Sequence, residues 1–169
     1  MLSTPRTKIR KAQIGDVDFI FKLLNEEGFL QFIGDRGIKQ KEDAEKYIES
    51  AFFNSYATHG LCSPFIVSDI EGRAVGIAGF YHRPSMQCPD LGFAFLKEIE
   101  GQGYAFEACQ EILSFAAESL KLKTVAGILM PSNQRSKSLL KRLGFKELGN
   151  IVINPNLEKV LLMHIDLSK

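Results

Sequence analysis

The chain has 169 residues, of which 45% are hydrophobic and 24% charged, and a formal net charge of +1. That length suits one domain with a substantial core, so residues 1–169 are expected to form a single domain. The near-neutral charge gives no basis for a nucleic-acid or membrane surface, and no apolar run approaches the ~20 residues of a membrane helix. Any anion site must therefore be local, built from backbone and a few side chains. The three cysteines, Cys62, Cys88 and Cys109, are odd in number and widely spaced. They form no zinc pattern with His59, His82 or His164, so no metal is expected. Free thiols, and a start without an apolar signal core, read as a cytoplasmic protein.

Residues 7–12 are expected to be the first strand, with Ile9 inward. Asp16 is a candidate N-cap for a helix whose apolar stripe is Val17, Ile20, Phe21 and Leu24. Residues 29–38 read as a loop or broken helix anchored by Phe29, Phe32 and Ile33, with a turn at Gly34-Asp35-Arg36-Gly37. Asp35 and Arg36 either line an acceptor pocket or pair with each other to fix the loop. A second helix is expected over 41–54. Residues 64–70 and 74–81 read as a β-hairpin turning at Glu71-Gly72. Both faces of its second strand are apolar, which places that strand centrally.

Residues 90–120 carry the strongest pattern. Leu91, Phe93 and Phe95 alternate with Gly92 and Ala94, which leaves a bare face open to close approach by a ligand or another backbone. Gly101-Gln102-Gly103 follows. A helix comes next, with Ala105, Ala108, Cys109, Ile112, Phe115 and Ala116 at the spacing of an amphipathic stripe. The first-turn N–H groups of such a helix have no internal partner, and with the helix dipole they suit a phosphate. A plain β-to-α turn has the same pattern. There is no G-x-x-x-x-G-K-[ST], and Phe106 stands where the dinucleotide fingerprint needs its third glycine. Residues 124–130 read as a buried strand, parallel to 91–96 across the helical crossover. A short helix over 133–143 ends at Gly144. The last two strands, 145–153 and 157–166, turn around Asn154-Pro155-Asn156.

Gly101-Gln102-Gly103-Tyr104-Ala105 with Glu107-Ala108 resembles the acyl-CoA motif of the GNAT acetyltransferases. Asn133-Gln134-Arg135-Ser136, with Leu139-Leu140 and Leu143-Gly144-Phe145, resembles the second motif of that superfamily's ribosomal-protein-alanine (RimJ/RimL-like) branch. Ile33-Gly34-Asp35-Arg36-Gly37 ahead of Glu42-Asp43-Ala44 is a weaker likeness, so the resemblance covers nearly the whole chain. It implies an α/β fold: a mixed, mostly antiparallel sheet of about seven strands, a central splayed parallel pair, and about four helices. The pantetheine arm of the cofactor would lie in the splay like an added strand. It also implies an enzyme, an acetyl-CoA-dependent N-acetyltransferase. The acetyl group would move by direct transfer in a ternary complex to a primary amine on a peptide or protein N-terminus or on a small molecule. A catalytically idle CoA-binding sensor or interaction domain is the alternative. The implied partner is the amine-bearing substrate, with no nucleic acid and no membrane; a homodimer stays open.

The resemblance also implies the site. Gly101, Gln102, Gly103, Tyr104 and Ala105 would cradle the pyrophosphate, and a backbone N–H at Phe95 or Leu96 would polarise the thioester carbonyl. Glu98 and Glu100 precede this anion site and are expected to point away from it. Leu140 stands where many superfamily members carry a tyrosine acid, so Ser136 is the implied proton donor to the leaving thiolate. Asn133 would orient the cofactor or a water. Simple helix capping is the other reading of Asn133 and Ser136. For the amine proton the candidates are Asp90, Tyr81 and His82, or a route through water. Histidine as a residue type titrates near working pH, which favours His82 among the three.

Overall fold

The computed structural model describes residues 1–153 and 159–168. Its strands are β1 (Leu2–Ser3), β2 (Thr7–Arg10), β3 (Pro64–Asp69), β4 (Ala74–Tyr81), β5 (Asp90–Phe95), β6 (Thr124–Leu129), β7 (Lys146–Ile151) and β8 (Val160–Asp166). They form one eight-stranded sheet in the order β1-β2-β3-β4-β5-β6-β8-β7. Only β5 and β6 run parallel; the other neighbours are antiparallel. This is the mixed sheet that the motif order implies, with one strand more than expected. The extra strand is β1, which pairs Leu2 with Ile9. Two residues are too few to show a period, so nothing in the sequence announces it.

The helices are α1 (Val17–Leu24), α2 (Glu27–Phe32), α3 (Lys41–Tyr47), α4 (Asn54–His59), α5 (Tyr104–Glu118) and α6 (Gln134–Arg142). The helix expected over 41–54 runs on to His59 through a π-helical turn, Ile48–Phe53, and stops at Gly60, where φ is 59°. Beyond that turn Tyr56 ties β3 to the segment that follows β2. Its hydroxyl donates to the Pro64 carbonyl at 2.9 Å and accepts the Ala12 N–H at 2.8 Å.

Asp16 does not cap α1. Its carboxylate turns back to the Gln13 N–H at 2.8 Å and takes the Arg10 guanidinium through two bonds of 2.6 and 2.8 Å. The charge of a nearby guanidinium outbids an exposed helix end for a carboxylate that is only 6% exposed.

β3 is buried along its whole length and β4 along all but its ends, as central strands require. α5 crosses one face of the sheet and buries Ala108, Cys109, Ile112, Leu113 and Ala116. α6 packs on β6 through Leu140. A Cβ at Gly127 would lie 2.9 Å from Leu140 Cδ1, so the glycine permits the close fit. The turn expected at Asn154-Pro155-Asn156, and the Leu157 start of the last strand, lie outside the described residues. Among the described residues no helix is long and apolar enough to cross a membrane.

Candidate active site

The parallel pair opens almost at once. β5 and β6 share one register pair, Asp90 opposite Ala126, with the Ala126 N–H donating to the Pro89 carbonyl at 2.9 Å. On its other flank β5 stays paired with β4 from Asp90 to Phe95. The Leu96 N–H donates to the Val75 carbonyl at 3.0 Å. Backbone groups alternate sides along an antiparallel strand, so the even-numbered residues of β5 serve β4. Phe93 and Phe95 then turn their N–H and C=O groups toward β6, where the strands have parted. This corrects the place given to Leu96. Its N–H is committed to the sheet, and the free donor at this point is that of Phe95.

The bare face expected at Gly92 is not open either. A Cβ there would lie 2.6 Å from the Tyr81 ring, and one at Gly76 would lie 2.3 Å from the Phe95 ring. The small residues accommodate neighbouring aromatic rings, so the strand can be approached only at the splayed edge.

Past the end of β5, a 3-10 turn, Lys97–Ile99, leads to Gly101 and Gly103, with φ of 77° and 86°. Gly103 is the N-cap of α5 and no side chain caps that helix. Its first-turn N–H groups therefore stand free of internal partners. A Cβ at Gly101 would have nothing within 4 Å. Gln102 folds its amide back onto the Glu98 carbonyl at 3.0 Å, so the backbone, not this side chain, presents itself. The two glutamates ahead of the cradle are both held in ion pairs. Glu98 pairs with Lys22 at 2.9 Å, and Glu100 pairs with Arg135 of α6.

One residue of this neighbourhood escaped sequence reading. Arg6 donates to the Gln102 carbonyl at 2.9 Å, pairs with Glu107 at 2.7 Å, and lies over the Tyr104 ring at 4.8 Å. Thr4 adds a hydroxyl bond to Glu107. The N-terminal segment is thus strapped across the first turn of α5. Glu107 in the motif was the only signal, and it did not reveal a partner about a hundred residues away.

Across the gap, Asn133 accepts the Ser136 N–H at 3.1 Å and caps α6. Ser136 is the capped residue, so its hydroxyl is not used in the cap.

At the base of the splay, Asp90 is 3% exposed and its two carboxylate oxygens take Arg83 Nε at 2.8 Å and Nη2 at 3.3 Å. Burial lifts its carboxyl above the usual range although Arg83 opposes the shift. Burial also lifts the Tyr81 phenol far above its usual range, with Tyr47 and Asp90 adding and Arg36 opposing. Tyr81 is therefore a neutral donor at working pH, not a base. His82 is exposed and occupied elsewhere. Its Nε2 lies 2.9 Å from the Cys62 carbonyl and its ring stacks on His59 at 3.7 Å. Asp35 and Arg36 do not pair. Asp35 accepts the Gly37 N–H at 2.7 Å, while the charge of Arg36 is felt at Tyr47 and Tyr81.

A family model of the GNAT acetyltransferase domain matches residues 6–146. The chain belongs to the GNAT acetyltransferase family. It is 23% identical over 148 residues to the uncharacterized N-acetyltransferase YnaD of Bacillus subtilis, a match that covers 88% of this chain and 84% of that protein. Its fold is that of the ribosomal-protein-S5-alanine acetyltransferase of Vibrio fischeri, with a TM-score of 0.81 at 17% identity over 99% of this chain and 96% of that one. It is also that of the spermidine N-acetyltransferase of Vibrio cholerae, solved with CoA and spermine, with a TM-score of 0.78 at 19% identity over 98% of each chain. Among the described residues of this GNAT domain, no three His, Cys, Asp or Glu side chains are grouped to hold a metal ion.

Proposed function

We propose that the protein moves an acetyl group from acetyl-CoA to the α-amine of a peptide or protein at the splay between β5 and β6. The observation that carries this is unpaired backbone at two places along one side of the splay. Phe93 and Phe95 face the gap, and the uncapped first turn of α5 lies just beyond. A strand edge suits the amides of a pantetheine arm, and a bare helix end suits a pyrophosphate. The open space at Gly101 fits a group that must approach the backbone closely.

Each residue then has a task. Gly101, Gly103, Tyr104 and Ala105 hold the pyrophosphate with main-chain N–H groups, whereas the Gln102 N–H already donates to the Ile99 carbonyl at 3.4 Å. The Phe95 N–H meets the thioester carbonyl oxygen, where negative charge builds as the amine adds. When bound, acetyl-CoA supplies an activated acyl group and a thiol leaving group. Asn133 fixes the start of α6, and the Ser136 hydroxyl donates its proton to the departing sulfur and regains one from solvent. The amine proton leaves through water, because Asp90 stands at the far end of β5, roughly 16 Å along the strand from Phe95. Arg83 occupies one lone-pair direction on each Asp90 oxygen and leaves the others available to that water.

The acceptor reading follows from charge. Asp90, the buried carboxylate at the base of the splay, is balanced by Arg83. It offers a polyamine no uncompensated charge, whereas one α-amine needs no such partner. The free cysteines support a reducing, cytoplasmic setting.

Thiol release from acetyl-CoA in the presence of short peptides with free N-termini, and separately of spermidine, tests the proposal. Turnover with peptide amines is expected. CoA binding by calorimetry without thiol release on any amine would instead select the idle binding domain.

A further inference from the structure

Glu100 and Arg135 sit on opposite sides of the splay. Glu100 closes the β5 side, immediately before Gly101 of the cradle. Arg135 stands in the first turn of α6, which follows β6. Their ion pair spans the mouth of the gap, with side chains 35% and 66% exposed respectively. Both charges are misplaced for their local backbone. A carboxylate borders a site built for anions, and a guanidinium occupies a helix start, where the dipole disfavours cations. The first turn of α6 has no acidic residue to offset it. A phosphate at the cradle would satisfy the guanidinium and not the carboxylate.

We infer that Arg135 is a phosphate-binding residue of the cofactor site, held by Glu100 until the cofactor enters. This rests on the acetyl-CoA reading above. An arginine is suited to such an exchange because its planar fork accepts a carboxylate or a phosphate in the same geometry. The pair being released is weak. Exposed ion pairs are worth about 0–1 kcal/mol, so the closed state costs the cofactor no more than about fivefold in affinity. Because Glu100 adjoins Gly101, the contact falls on the pyrophosphate and not on the 3′-phosphate of CoA.

The test is calorimetry with CoA and with dephospho-CoA on the full chain. The proteins are the wild type, Glu100→Gln, Arg135→Ala and the double variant, each checked for an unchanged thermal midpoint. Glu100→Gln should tighten CoA by up to about fivefold. Arg135→Ala should weaken it about tenfold, the share of one exposed charge-assisted contact. The double variant decides. If Arg135 binds phosphate, it stays about tenfold weaker than Glu100→Gln alone. If Arg135 only neutralises Glu100, the two bind alike, and the inference is overturned. An Arg135→Ala effect that vanishes with dephospho-CoA would overturn the pyrophosphate assignment. Absence of CoA binding in the wild type would overturn the acetyl-CoA reading itself, a result distinct from both.

Discussion

The Asn133 carboxamide takes the Ser136 N–H at 3.1 Å, so one side chain caps α6 and the next polar one keeps its hydroxyl. The two residues then predict opposite signatures. Ser136→Ala should lower kcat by at most ~10²–10⁴-fold, the usual share of general acid catalysis. It should leave CoA affinity and the thermal midpoint nearly unchanged, because the proton is needed only as the C–S bond breaks. Asn133→Ala should cost about 1 kcal/mol of stability through the lost cap. Steady-state rates and melting curves on the same preparations separate them. A Ser136→Ala protein with full turnover would remove the hydroxyl from the mechanism. At this scale the sequence displays residue types but not their bonds. Glycine, serine and asparagine were visible at the right spacings. Leu96 was indistinguishable from Phe95, because which neighbour an N–H faces depends on strand pairing. His82 looked apt by type, yet the fold turns it to Cys62 and His59.

Elements were legible wherever a period was long enough to read. The change from alternation in β5 to a helical stripe in α5 marks the strand–turn–helix, and the glycines fall at its corner. The π turn after α3 was not legible, since its apolar residues read equally well as ordinary helix. The corner itself makes a prediction. Gly101 has a positive φ, and a Cβ there meets nothing within 4 Å. Gly101→Glu should therefore fold, at a backbone cost on the order of 1–3 kcal/mol, while its carboxylate occupies the anion space. CoA binding by calorimetry should be lost. Unchanged affinity in the folded variant would refute the cradle. Gly103→Ala should behave differently. Its Cβ would sit 3.2 Å from Arg6 Nη2, so the change disturbs the strap as well as the backbone. It should lower the melting temperature more than Gly101→Ala does.

Over the whole molecule, sheet order and the parallel pair follow from the order of motifs. The N-terminal strap does not, because Arg6 and Glu107 meet only after α5 has packed. That strap should govern part of the acid sensitivity. Burial pushes the Glu107 carboxyl up, but the Thr4 hydroxyl and the Arg6 side chain and N–H outweigh it and hold the group below its usual value. Between that depressed value and the reference of roughly 4.3, the unfolded chain binds more protons than the folded one, so stability rises with pH. The contribution is complete above this window and is lost as pH falls through the folded value. Asp69 acts in the same direction at the β3–β4 turn, where bonds from Arg73 and the Glu71 N–H overcome its burial. Asp90 acts oppositely. Its raised carboxyl makes the folded chain bind more protons above roughly pH 4, so its contribution falls as pH rises. Thermal midpoints measured from pH 3 to 6 should show a shallower acid limb for Glu107→Gln than for the wild type, and a steeper rise for Asp90→Asn. If the Glu107→Gln curve lies lower but parallel to the wild type at every pH, the strap is structural and its charge does not set the acid response.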